Sequence, residues 1–239
     1  MKKIILIIPL VFIFLHFMPS SDGPGIWTQT LTDTGPIWQE CIVFNSTNQQ
    51  IMYAGSFSSG IWKSTNGGVN WSQSNNGLTN LTVQTLAISK SNPDVLYCGT
   101  GSVGAGPGMY ISTNGGGLWT QINSGIVEAP ISIQAIAINP LNPAIAYIAV
   151  FDATADAVQG FYKTTNSGAT WVPSNAGIGV VKNILSIVIN PLNPNVLYCG
   201  TSFGVTSQMG PVHIYKSNNA ALTWTDMSSG LPALATDLN

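Results

Sequence analysis

The chain has 239 residues, of which only 7% are charged; seven Lys, no Arg and nine acidic residues leave a formal charge of −2 at pH 7. Nucleic-acid binding needs a cluster of cations to displace counterions from phosphates, and the sequence holds no such cluster. His16 and His213 are the only histidines and the three Cys lie dispersed at 41, 98 and 199, so no His/Cys metal set is expected and no cofactor is implied.

Met1-Lys2-Lys3, the apolar run Ile4 to Phe17 and then Met18-Pro19-Ser20-Ser21 read as a signal peptide over residues 1–20, cut near Ser20 or Ser21. The run is shorter than the ~20 residues a membrane-spanning helix needs. The expectation is export to a secreted, periplasmic or cell-surface location at or outside a bacterial cell, with no transmembrane segment after cleavage. Cleavage removes Lys2 and Lys3, leaving five Lys against nine acidic residues, a formal charge of −4. Cys98 and Cys199 fill the same slot of two repeat units, too far apart for the ~7 Å Cα limit of a disulfide, so buried free thiols are expected.

Trp27-Thr28-Gln29-Thr30 reads as a lone strand over 27–31. Four units of four short strands follow at about 37–75, 82–123, 131–175 and 183–228, and 232–239 begins another. In the second to fourth units strand a (Val83 to Ser89, Ser132 to Ile138, Ile184 to Ile189) meets an Asn-Pro turn at Asn92-Pro93, Asn139-Pro140 or Asn190-Pro191. Strand b follows, as in Val95 to Thr100, Ile145 to Val150 and Val196 to Thr201. Strand c carries an aromatic residue (Trp62, Tyr110, Tyr162, Tyr215), and a polar strand d comes last. Runs rich in β-branched and aromatic residues between Gly, Asn and Pro are antiparallel strands. Successive Trp spacings of 44, 48, 52 and 53 residues approach the ~40 to 50 of a four-stranded propeller blade. The predicted fold is an all-β propeller of four-stranded antiparallel blades, four of them complete and partial ones at both ends, expected to be part of a six- to eight-bladed ring.

Between strands c and d one phrase recurs: Ser64-Thr65-Asn66-Gly67-Gly68-Val69-Asn70-Trp71, Ser112 to Trp119 with Asn114 and Gly116, Thr164 to Trp171 with Asn166 and Gly168, and Ser217 to Trp224 with Asn219. It resembles the Asp-box, Ser/Thr-x-Asp-x-Gly-x-x-Trp, of BNR-type propellers, a group that includes sialidases, sortilin-like receptors, xyloglucan-cleaving glycoside hydrolases and photosystem assembly factors. Here Asn replaces the usual Asp, and Ala221 stands where Gly is expected. The phrase is read as a structural turn: Asn caps backbone donors, Gly takes a positive φ, and Trp packs under the turn. Ala221 is expected to strain or loosen the fourth turn.

The b–c loops differ from unit to unit, and variable loops on one rigid face are where binding resides. That face is expected to carry Phe57, Asp152, Asp156, Phe203 and His213 as the ligand-binding set, with Glu128 and Lys182 arriving from d–a loops. Asp152 and Asp156 are read either as an acid–base pair or cation site, or as two solvated loop residues. His213 alone is read as a residue opening a strand, and Gly101 to Gly108 as a flexible connection. The resemblance implies sialidase chemistry only with three Arg to grip a carboxylate, and the chain has none. It implies an inverting glycosidase only with two carboxylates ~6.5 to 9.5 Å apart; the stretch matching that family's base, Ala54 to Gly60, holds no acid. The partner surface of the photosystem assembly factors is rich in Arg. The reading is therefore a non-catalytic binding or scaffold module for a protein or glycan, with a xyloglucanase-like hydrolase and a photosystem-type assembly factor as alternatives.

Overall fold

A computed structural model describes residues 39–102, 105–126, 132–151, 160–179, 184–201 and 213–231. They form four antiparallel sheets of four strands, each a blade in simple meander order. Blade I comprises β1 (Gln39–Phe44), β2 (Met52–Ser56), β3 (Gly60–Ser64) and β4 (Ser72–Gln73). Blade II comprises β5 (Val83–Ile88), β6 (Leu96–Ser102), β7 (Ala105–Ser112) and β8 (Thr120–Gln121). Blade III comprises β9 (Ser132–Ile138), β10 (Ala146–Phe151), β11 (Phe161–Thr164) and β12 (Val172–Pro173). Blade IV comprises β13 (Ile184–Ile189), β14 (Leu197–Thr201), β15 (Ile214–Ser217) and β16 (Thr225–Asp226). The predicted lone strand at 27–31, the signal peptide and the strand beginning at 232 lie outside the described residues. Among the described residues, no helix is long and apolar enough to cross a membrane.

Both faces of an inner blade are covered by neighbours, so the core is three cores, one in each gap. Tyr53 and Ile61 of blade I meet Val83, Leu86, Leu96, Cys98, Tyr110 and Trp119 of blade II. Tyr97 and Met109 meet Ile133, Ile148, Tyr162 and Trp171 in the next gap, and Tyr147 and Phe161 meet Ile184, Leu197, Cys199, Tyr215 and Trp224 in the third. Two glycines set how closely the sheets approach. A Cβ on Gly55 would sit 2.5 Å from Val83 Cγ1, and one on Gly99 would sit 2.6 Å from Ile133 Cβ, both in the following blade.

The stretch expected to be a flexible connection at Gly101 to Gly108 is instead largely strand: β6 and β7 continue to the Ser102 and Ala105 pair across a register shift. The ladder absorbs the irregularity at Gly101 and Gly108, whose φ angles are 126° and 115°. Cys98 and Cys199 are buried free thiols. Burial, and to a lesser degree the neighbouring Cys41, push the Cys98 thiol up.

Candidate functional site

The box turns are built by hydrogen bonds within the phrase. Ser112 Oγ donates to Asn114 Oδ1 at 2.9 Å and accepts the Gly116 N–H at 2.9 Å, while Asn114 Oδ1 accepts the Leu118 N–H at 2.9 Å. The same three bonds recur at Ser64, Asn66 and Gly68 (3.0, 2.9 and 2.9 Å), at Thr164, Asn166 and Gly168, and at Ser217, Asn219 and Ala221. The fourth turn is therefore strained but not loosened: Ala220 and Ala221 hold φ of 54° and 65°, while the Ala221 N–H still reaches Ser217 Oγ at 3.0 Å. Three of the four box tryptophans also reach beyond their own turn. The indole N–H of Trp119, Trp171 and Trp224 donates to the carbonyls of Ser74, Ile122 and Ser174 in the preceding blade, at 2.8, 2.7 and 2.9 Å. Trp71 donates within its own turn, to Gly68 O at 2.9 Å.

On the opposite face, where the b–c connections lie, Phe57 sits exposed on a short turn. That turn is fixed by Ser56 Oγ, which accepts the Ser59 N–H at 2.9 Å and donates to Gly60 O at 3.2 Å. Asp152, Asp156 and Phe203, with Glu128 and Lys182, fall outside the described residues.

His213 is placed, and it is not alone. In the first three blades a Gly (Gly60, Gly108 or Gly160) stands at the loop end of the strand-c segment shared by all blades, and an Asn on the strand-d side accepts the next N–H: Asn75 from Ile61, Asn123 from Met109, Asn175 from Phe161, each at 2.7 Å. No other side chain fits beside that Asn, because a Cβ on Gly60 or Gly108 would lie 2.3 or 2.1 Å from its Oδ1. Blade IV exchanges both partners. Ser228 Oγ accepts the Ile214 N–H at 3.0 Å, and the vacated space holds the His213 ring, whose Nδ1 meets Asp226 Oδ2 at 2.8 Å and Ser228 Oγ at 3.3 Å. The ring stacks on Tyr215 with centroids 5.7 Å apart. Hydrogen bonds from Ser228, and then His213, hold the Asp226 carboxyl below its usual range. Both contacts fall on Nδ1, so Ser228 and His213 are not arranged as nucleophile and base. The sequence held the signal for this cluster, a coupled exchange of Gly and Asn for His and Ser, but it is visible only once the strand register is known.

A cavity of about 230 Å³ opens on the box-turn side, where Ile88, Ala137, Val188 and Ile189 of the a strands converge with Lys90, Pro140 and Pro191. Sequence reasoning missed it because its walls come from three blades. Among the described residues, no group of three His, Cys, Asp or Glu side chains converges on a metal position.

No family model and no curated protein matches the chain. Solved structures do. The GH74 enzyme of Niastella koreensis matches at 23% identity and a TM-score of 0.62 over 77% of this chain and 28% of its own. The GH74 xyloglucanase of Xanthomonas campestris matches at 16% identity and 0.63, over 83% and 31%. YCF48 of Cyanidioschyzon merolae matches at 17% identity and 0.55, over 84% and 58%. The likeness is one of fold: the chain is part of a β-propeller, spanning less than a third of the length of these GH74 enzymes.

Proposed function

We propose that this chain is an exported, non-catalytic binding or scaffold module that recognises a protein or a glycan through the b–c face. The observation that carries the reading is the contrast between the two faces. The box-turn side repeats the same bonds in all four blades, whereas the b–c side carries blade-specific chemistry at Phe57 and at the His213, Asp226 and Ser228 cluster. An aromatic ring beside hydrogen-bonding groups suits both sugar stacking and protein contact. The test is capture of glycans on an array and of proteins from the exported fraction. Phe57→Ala, Phe203→Ala and His213→Ala are expected to weaken capture about tenfold or more with unchanged melting; retained capture in all three places the site elsewhere.

A second reading, glycoside hydrolysis, is favoured by the GH74 neighbours and opposed by the acid-free stretch Ala54 to Gly60. Release of reducing ends from xyloglucan that disappears in Asp152→Asn supports it over the binding reading. Assembly-factor function, suggested by the YCF48 neighbour, predicts co-purification with a membrane complex.

A further inference from the structure

In blades I to III the slot between strands c and d is closed by groups that do not titrate: Asn75, Asn123 and Asn175 hold the strand-c N–H beside a glycine. Blade IV puts an imidazole, a carboxylate and a hydroxyl there, and their protons can be placed one at a time. The ionised Asp226 carboxylate can only accept. Its Oδ1 takes the Ser228 N–H at 2.8 Å and the Ser228 hydroxyl proton. With that proton committed, Ser228 Oγ is left as an acceptor, and it takes the Ile214 N–H at 3.0 Å. Both groups that face Nδ1, Asp226 Oδ2 at 2.8 Å and Ser228 Oγ at 3.3 Å, are therefore acceptors. Nδ1 carries the ring proton, and in the neutral ring Nε2 is a lone pair.

The ring is also held in place. The His213 N–H donates to Thr201 Oγ1 at 2.8 Å, the His213 carbonyl accepts the Thr201 N–H at 2.9 Å, and the imidazole stacks on Tyr215. The His213 side chain keeps 28% of its surface exposed and that of Asp226 45%. Among the described residues the titratable groups facing the ring are Asp226 of β16 and Tyr215 of β15, while β14 contributes Thr201, which does not titrate. Lys182, on the same face, lies outside them. Asp226 accepts three hydrogen bonds of the roughly four a carboxylate can take, so Oδ2 has room for one more.

We infer, on the reading of the b–c face as the binding side, that His213 Nε2 and Asp226 Oδ2 together accept hydrogen bonds from a lysine or arginine side chain of a protein partner. Two neighbouring acceptors, one of them anionic, match a group that has donors and no acceptor, and among side chains only ammonium and guanidinium meet that description at neutral pH. The chain's formal charge of −2 favours the same sign of partner. Protonation of His213 turns Nε2 into a donor and sets a positive charge against the incoming cation. The site therefore works with the ring neutral.

The imidazole nitrogen resonances of His213 are expected to report the Nδ1–H form in neutral solution; an Nε2–H ring overturns the inference, whatever the b–c face binds. Capture is read on an array of peptides centred on Arg or Lys, with citrulline or acetyl-lysine in their place as controls. The protein is expected to hold the charged peptides and to release them on acidification between about pH 8 and 5, where imidazoles take up a proton. His213→Gly combined with Ser228→Asn rebuilds the slot of blades I to III and removes the Nε2 acceptor. It is expected to weaken capture about tenfold at an unchanged melting temperature. Capture that persists in this double variant, or that strengthens in acid, overturns the inference and leaves the b–c reading to stand on Phe57→Ala. Capture of neutral glycans with no charged peptide held also overturns it without touching that reading; no capture of any kind overturns both.

Discussion

Ala220 and Ala221 occupy a left-handed pair of positions that Gly67 with Gly68, and Gly115 with Gly116, fill without a side chain. Left-handed backbone costs a non-glycine residue roughly 1 kcal/mol. Ala221 regains part of this through its fully buried methyl group in the gap between blades III and IV. Ala220 belongs to no core cluster, so Ala220→Gly is expected to stabilise the chain by up to about 1 kcal/mol, read as a higher urea midpoint, and Ala221→Gly by less. An unchanged or lower midpoint for Ala220→Gly would show the turn to be unstrained. Asp226 gives a pH prediction. Its folded pKa is depressed, chiefly by Ser228, so its contribution is present above the ordinary carboxylate pKa and lost as pH falls through the depressed value. Acid unfolding of Ser228→Ala is expected to begin at higher pH than that of the parent, and the difference in stability between the two is expected to shrink in strong acid to the constant part left by the lost Ile214 N–H bond.

The elements depend on two kinds of bond, one local and one between sheets. Each box hydroxyl organises its turn with three hydrogen bonds, as Ser112 does; Ser112→Ala is expected to cost about 1 to 2 kcal/mol, with Ser112→Thr nearly neutral because Thr164 makes the same bonds. The blade gaps are less forgiving. Gly99→Ala places a Cβ 2.6 Å from Ile133 Cβ, and overpacking of this kind costs about 1 to 3 kcal/mol. Gly200→Ala, at the matching slot of blade IV, is expected to leave single-chain stability nearly unchanged, since only the Ser186 hydroxyl crowds it. Equal losses in thermal melts of the two variants would contradict the assignment of Gly99 as a gap-setting residue. The box phrase was legible in sequence because its bonds span at most four residues. The partners of Trp119, Trp171 and Trp224 were not, because they lie across a gap, 45, 49 and 50 residues away.

For the molecule as a whole, Tyr53, Tyr97 and Tyr147 repeat at one position in three consecutive gaps, and burial raises each phenol to about 12. Their neutral form is the folded one, so their contribution is intact below pH ~10 and is lost as pH rises through about 12. Alkaline unfolding is expected to be steep over that window, with phenolate absorbance from these residues appearing together with loss of the β-sheet signal. The sequence by itself determined the all-β class, the four-stranded unit and its four repetitions, because these follow from short-range alternation and turn chemistry that each unit contains in full. Tertiary structure alone decided which lysine lies over which tyrosine, that Gly55 and Gly99 are sockets for the following blade, and that Gly and Asn give way to His213 and Ser228 in blade IV. It also left one tyrosine, Tyr198, bare. Those facts depend on strand register and on contacts between units, which no single unit encodes.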